Sequence, residues 1–539
     1  MSAAAVSERF RPSLPAVLAL CAIAVGTWVR LDGALACPLF GDEFHAGRTA
    51  AEDLATVLTT FDELGSHVAL PLLQWCCAQL LGRSMLAFRL PALVPGVLAL
   101  LLVYPVARAL VGRAAAALAT VGLALAPMHV YYTRFARSYA LTVFLGLALL
   151  GLLRAAPSRR RTVGLVAAAG LLPWVHLSSV GYLVALGVAA LLPAGGEREP
   201  RARTLVPLLL GALLCAALYW PVRASLADYL ALRADGPHDR PTTFFGIPLL
   251  LGGGVVGGVA LLAGVPLGLV ALARAERRSA LLLAGAVAGP LALLLTTRPH
   301  GMEYAWSRYL LTSLPAALML LGAAWMRGLA RLWPGAGGER GALLLGVAFL
   351  VGMLGLPRRA HDAPFSNTYL AMHDLPAFDA PDPGRSPFYD RLAADDTVRR
   401  IVEVPDMHSR ALLLYRNRRL VHGKDVLLGL ATAKDDSRLR GGPYVFLSRR
   451  AAITAGAQVV VLHKDLVGEL DAYWDFVYGE AWPAHRTFGD AGLMERHRTY
   501  YLVGSDPAVY AAGLRPALDK RFGEPVYEDD VLVAWQVPE

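Results

Sequence analysis

Asp42, Glu43, His45 and Arg48 follow shortly after an apolar run at residues 14–31. That run is long enough to cross a bilayer, so these ionisable groups gather where a helix would meet water. A carboxylate there can take the proton from an attacking hydroxyl, an effect worth roughly a hundred- to ten-thousand-fold in rate. Neighbouring side chains on an extended loop point in different directions. Asp42 and Glu43 therefore do not share a role: one is the base, the other an orienter or a divalent-metal ligand. Alone, the pair reads as an ordinary solvated loop, and the rest of the chain has to decide.

The chain has 539 residues, 56% hydrophobic and 17% charged, the balance of a polytopic membrane protein. Long apolar runs recur over residues 14–356, whereas residues 357–539 hold none long enough to span. This predicts an all-α membrane domain, residues 1–356, followed by a soluble α/β or α+β domain, residues 357–539. The net charge of +9 is mostly arginine in short loops, which reads as a positive-inside signal and excludes a nucleic-acid surface. Cys21, Cys37, Cys76, Cys77 and Cys215 all precede the tail and form no disulfide or zinc pattern.

Arginine bracketing sets the sides. Arg9 and Arg11 place the N-terminus in the cytoplasm, and residues 154–161, 198–203, 274–278 and 327–340 read as cytoplasmic. The stretch between the first two clusters must then go out and return as two short helices, broken at residues 173–178, with His176 near the outer face. Residues 68–81 are short for a span and are placed at the outer interface. The count is about 11 transmembrane helices, with the tail outside. In the tail, residues 400–404, 444–447, 458–462, 500–503 and 531–535 read as strands, with helices near 448–455 and 507–514. The glycine-rich stretch 251–259 reads as close helix packing.

With that topology, Asp42, Glu43, His45, Arg48, His67, Arg134, Arg137, Tyr139, His176, Arg298, His300, Glu303 and Arg308 converge on one outer surface. Carboxylates on the first loop face arginines on later ones. Arginine grips phosphate bidentately and keeps its charge, and a phosphate that leaves a sugar gathers charge as the bond breaks. The chemistry that fits is transfer from a lipid-linked phosphate. A transporter or flippase of lipid-linked sugars is the competing class. It calls for inverted repeats and broken helices at mid-membrane, and only the 173–178 break has that character.

Gly41-Asp42-Glu43, His67-Val68-Ala69-Leu70-Pro71-Leu72, Phe88-Arg89-Leu90-Pro91-Ala92-Leu93 and Pro127-Met128-His129-Val130-Tyr131-Tyr132-Thr133-Arg134-Phe135-Ala136-Arg137-Ser138-Tyr139 resemble, in order and spacing, the membrane glycosyltransferases of family 39. These are the protein O-mannosyltransferase and aminoarabinose-transferase relatives with the GT-C fold. Arg308-Tyr309-Leu310-Leu311-Thr312-Ser313-Leu314-Pro315 is similar to their later arginine-tyrosine motif. The resemblance implies a polyprenyl-phosphate sugar donor, used with inversion on the extracytoplasmic face of the inner (plasma) membrane. It implies Asp42 as the acidic catalytic residue with Glu43 its companion, Arg137 near the donor phosphate and Arg308 as a later phosphate contact; Arg134 is expected to hold the phosphate with them. Many relatives carry His-Pro-Pro or Lys-Pro-Pro where this chain has His67-Val68-Ala69. The tail matches nothing in the family, so a lipid, a glycan or a protein all remain candidate acceptors, and a divalent metal stays open.

Overall fold

The computed structural model describes residues 13–32, 34, 43–50, 52–61, 67–82, 84–193, 201–235, 244–297, 303–354, 386–404, 422–426, 452–453, 456–463, 515–516 and 518–538. Packing divides the chain into two units, Met1–Leu35 with His45–Asp374, and Ala36–Phe44 with Leu375–Glu539. That division falls later than the change of composition at residue 357.

The first unit is helical. Its helices are α1 (Leu14–Leu31), α2 (Glu43–Ala50), α3 (Leu54–Thr59), α4 (Ala69–Leu81), α5 (Met85–Val111), α6 (Arg113–Leu125), α7 (Pro127–Arg134), α8 (Tyr139–Arg154) and α9 (Arg159–Val175). There follow α10 (Val180–Leu191), α11 (Ala202–Tyr219), α12 (Arg223–Asp235), α13 (Gly246–Gly252), α14 (Val255–Ala273), α15 (Arg277–Thr297), α16 (Glu303–Tyr309), α17 (Leu314–Leu332) and α18 (Ala336–Leu354). Among the described residues, 5 helical stretches are long and apolar enough to cross a membrane, or 6 if α6 and α7, bent by 53°, are counted as one. The count of about 11 from charge bracketing includes shorter helices. The apolar α4, α8 and α10 fall under the 18-residue length that a straight span needs. Residues 68–81, read as too short to cross, form the 13-residue α4.

Small residues let the helices approach. Around the corner between α13 and α14, Gly253 and Gly254 have φ of +72° and +143°. A Cβ on Gly257 would meet the Gly252 carbonyl, so the glycine-rich stretch does provide close helix packing. At the C-terminal end of α8 the arginine clusters meet. Arg161 Nε and Arg278 Nη2 donate to the Leu152 and Leu153 carbonyls (2.9 and 3.2 Å), satisfying groups that a helix end leaves without partners. Arg154 pairs with Glu276 at 3.8 Å. Residues 154–161 and 274–278, assigned to one side by charge, thus share one end of the bundle.

The second unit holds a mixed sheet of β1 (Arg400–Val404), β2 (Asp425–Val426), β3 (Val459–His463), β4 (Tyr527–Glu528) and β5 (Leu532–Gln536), in the order β2-β1-β3-β5-β4. β1 runs parallel to β2 and β3, and β5 is antiparallel to β3 and β4. Alternate residues feed two cores: Val460, Leu462, Val533 and Trp535 on one face, Val459, Val461, Leu532 and Ala534 on the other. Burial on both faces is why these runs read as continuously apolar. α19 (Phe388–Ala394) packs on the second face through Phe388, Tyr389 and Leu392. The strands expected at 400–404, 458–462 and 531–535 are present within one residue; those expected at 444–447 and 500–503 lie outside the described residues.

Candidate active site

The end of the bundle opposite the Arg154–Glu276 pair gathers aromatic and basic residues from four separate segments. Pro173 lies in α9, which stops at His176. The His176 ring caps the turn that follows: Nδ1 accepts from the Ser178 backbone N–H at 3.3 Å, and the Ser178 hydroxyl lies 2.7 Å from it. A backbone N–H can only donate, so Nδ1 keeps its lone pair and the ring proton sits on Nε2. His67 is fixed in the same way, its Nε2 accepting from Leu177 N–H at 3.0 Å. The two imidazoles stack at 4.5 Å and 27°.

Tyr139 at the start of α8 and Tyr309 at the end of α16 flank His176, with ring centroids at 5.1 and 5.5 Å. Arg308 lies over both tyrosines, at 5.8 Å from Tyr139 and 5.1 Å from Tyr309, and donates to the Tyr309 hydroxyl at 3.3 Å. Arg137 is 7% exposed and sits in a tight turn closed by its own N–H on the Phe135 carbonyl (2.6 Å). Burial pushes His176 well below the ordinary imidazole pKa, and its neighbours His67, Arg137 and Arg308 push it in the same direction. The result is a floor of neutral rings between two guanidinium groups that cannot lose their charge. The chemistry of such a floor suits an anion.

The pH consequence has a definite sign. The folded state disfavours protonated His176, whereas in the unfolded chain the ring takes up a proton near pH 6.5. Its contribution to stability is therefore present above about pH 6.5 and falls below it, by up to about 1.4 kcal/mol per pH unit. Thermal unfolding in detergent is expected to show that acid limb in the wild type and a flatter one in His176→Asn. Identical profiles would rule out His176 as its source.

Arg134 reaches the end of α1. Its Nη2 donates to the Asp32 carbonyl, while Arg89 Nη1 donates to the Ala34 carbonyl at 2.8 Å. These two arginines from α7 and α5 hold the backbone where α1 ends. Arg30 is the third, and charge bracketing does not single it out. It is fully buried and donates to the carbonyls of Gly26 (2.7 Å), Ala124 (2.8 Å) and Leu123 (2.9 Å), and to His129 Nδ1 (2.6 Å). Pro127 has no N–H, so the helical partner of the Leu123 carbonyl is missing where α6 breaks into α7. Arg30 replaces it, and α7 leaves the break carrying Arg134.

Arg30→Met would leave the Leu123 and Ala124 carbonyls without that donor, at about 1–3 kcal/mol each. We expect a drop in the unfolding midpoint, partly recovered by Arg30→Lys, which keeps the charge with less reach. An unchanged midpoint in Arg30→Met would remove the staple from the account.

Glu43 is fully buried in the first turn of α2, where a helix N-terminus favours a carboxylate. Asp42, Arg298 and His300 lie outside the described residues, as do the side chains of His45, Arg48 and Glu303. Among the described residues, no group of three or more histidine, cysteine, aspartate or glutamate side chains could hold a metal ion. Of the surface expected from sequence, the structure brings together His67, Arg137, Tyr139, His176 and Arg308.

Residues 68–224 match the family model described as dolichyl-phosphate-mannose-protein mannosyltransferase. ArnT from Cupriavidus metallidurans in the apo state superposes with a TM-score of 0.52 and 16% identity, covering 84% of this chain and 94% of that one. ArnT bound to undecaprenyl phosphate superposes with a TM-score of 0.55 and 14% identity over the same shares. The chain has the GT-C glycosyltransferase fold. The archaeal oligosaccharyltransferase AglB from Archaeoglobus fulgidus, in complex with an inhibitory peptide and a dolichol-phosphate, aligns more loosely. Its TM-score is 0.45 at 12% identity, over 85% of this chain and 70% of its own. Comparison with curated proteins finds no match. The family match begins one residue after His67 and takes in α4–α11, the GT-C segment that carries Arg137, Tyr139 and His176.

Proposed function

We propose that this chain is an integral membrane glycosyltransferase that moves a sugar, a hexose or a pentose, from a polyprenyl-phosphate donor to an acceptor outside the cytoplasm. The observation that carries the reading is the pair Arg137 and Arg308, both acting on His176 above a floor of neutral rings. A phosphate-sized anion is what that charge pattern suits. The ArnT structure with undecaprenyl phosphate supports a lipid-linked one.

In the mechanism, the acceptor hydroxyl attacks the anomeric carbon and inverts it. Asp42 takes the hydroxyl proton, and Glu43 orients Asp42 or holds a divalent metal. Arg137 and Arg308 receive the phosphate, whose charge grows as the glycosidic bond breaks, so they stabilise the transition state more than the bound donor. His67 and His176 shape the floor, and a proton on His176 would add a charge that burial penalises. Arg134 and Arg89 fix the backbone at Asp32 and Ala34, where α1 ends. Its distance from the arginine-rich end supports a position on the extracytoplasmic face of the inner membrane.

Lipid-linked sugars and surface glycans of a deletion strain, compared by mass, test the function and name the sugar. One lipid-linked donor is expected to accumulate while one glycan product vanishes. No change in either pool would contradict the reading.

A further inference from the structure

Away from the ring floor, the end of the bundle near Glu276 contains a cavity of about 390 Å³. That is large enough for a small ligand rather than a single ion or water. Gly112, Arg113, Arg327, Trp333, Gly335 and Glu339 contribute to its lining. It belongs to the same end as the arginine clusters, because Glu276, which pairs with Arg154, also attracts Arg327.

Three observations give the cavity its chemistry. Two cations line it, and Arg327 Nη1 is shielded from solvent without a hydrogen-bond acceptor among the described residues. Two long helices start at it. α6 begins after Gly112, which has φ of +89° and provides no side-chain cap, and α18 begins after Gly335, with φ of +102°. Ala114 and Ala115 in the first turn of α6 also line the cavity, and N–H groups of a first helical turn have no helical partner. Against these stands one carboxylate lining the cavity, Glu339, whose place in the first turn of α18 already suits it. The balance favours an anion.

The flank indicates what carries that anion. Leu332 is 81% exposed, Trp333 57%, Leu344 51% and Leu345 53%. In a chain with membrane-spanning helices such side chains meet lipid, and tryptophan settles at headgroup depth. A basic pocket between helices at the cytoplasmic boundary is suited to lipid phosphate. We propose that this cavity binds the phosphate headgroup of an anionic phospholipid in the cytoplasmic leaflet, held by Arg113 and Arg327 with its chains along the Leu332–Leu345 flank. The site is separate from the donor site and does not depend on the transfer reaction.

The test uses the full purified chain, incubated with equal amounts of phosphatidylglycerol and phosphatidylcholine, with retained lipid read by native mass spectrometry. Wild type is expected to keep phosphatidylglycerol in roughly tenfold excess, the scale of charge-assisted bonds from guanidinium to phosphate. Arg113→Gln with Arg327→Gln should abolish the preference and leave transfer in neutral lipid unchanged. Arg113 is exposed, so Arg113→Gln alone tests the site without threat to the fold and should lose part of the preference. Arg340→Gln, outside the lining, should keep it. No preference in wild type, an equal preference in the double variant, or displacement of the lipid by inorganic phosphate would each overturn the proposal; the last would make the pocket one for soluble anions.

Discussion

Asp42→Asn is expected to abolish sugar transfer while the protein still accumulates, inserts and unfolds at the wild-type temperature. The asparagine has nearly the shape of the aspartate and cannot accept the proton of the attacking hydroxyl. General-base assistance is worth roughly a hundred- to ten-thousand-fold, so residual transfer should sit at the floor of the assay. Glu43→Gln should cost less, since the neighbouring carboxylate orients or holds a metal and is not the base. The comparison is made in vesicles given the same donor, with donor affinity measured alongside. Donor binding should survive in Asp42→Asn, because the phosphate contacts are on other residues. Undiminished transfer by Asp42→Asn would remove it from the mechanism.

The second large effect is expected at Arg137. In the proposed mechanism, Arg137→Gln removes a buried donor from the phosphate as its charge develops. The loss should be on the order of a hundred- to a thousand-fold in kcat, with a smaller rise in KM for the donor. Arg137→Lys keeps the charge but not the planar, bidentate geometry, so it should recover only part. Arg308→Gln should follow the same direction with a smaller loss, because Arg308 also spends bonds on Tyr309 (3.3 Å). A loss confined to KM, with kcat intact, would show that these arginines bind the donor and do not act on the transition state. Equal activity in Arg137→Lys and wild type would show that charge alone suffices.

Much of this site was readable in the chain because its members are rare in apolar surroundings. Arg137, His176 and Arg308 interrupt hydrophobic runs, and arginine bracketing brings them to one end without any tertiary information. The break at residues 173–178 was legible from Pro173 and the polar residues beyond it. Arg30 was not. A basic residue in the last turn of a spanning helix ordinarily reads as an anchor reaching toward water. Only the contact between Gly26 and Ala124 and the missing N–H of Pro127 turn Arg30 inward, and that pairing spans 94 positions. Arg134 illustrates a related limit. Its charge suggested phosphate, and sequence could not foresee the Asp32 carbonyl it reaches.

The tail shows where periodicity helps. β1, β3 and β5, of five residues each, carry enough β-branched and aromatic side chains to be recognised, whereas β2 and β4 have two residues each and leave no pattern. The span count and the count by helix length differ for a related reason. Charge bracketing counts crossings by parity, and helices interrupted at Pro127 or His176 divide one apolar run into pieces too short to be recognised by length.

The central claim is that a sugar leaves a polyprenyl phosphate in this protein and is bonded to an acceptor. Purified protein in sealed vesicles, supplied with polyprenyl-phosphate sugar labelled in the sugar and with an extract of envelope acceptors, measures it directly. The expected result is label transferred to acceptor together with stoichiometric free polyprenyl phosphate, and neither product with Asp42→Asn. Label that crosses the membrane while still attached to its lipid, with no free polyprenyl phosphate formed, would contradict the account and make the protein a carrier of lipid-linked sugar.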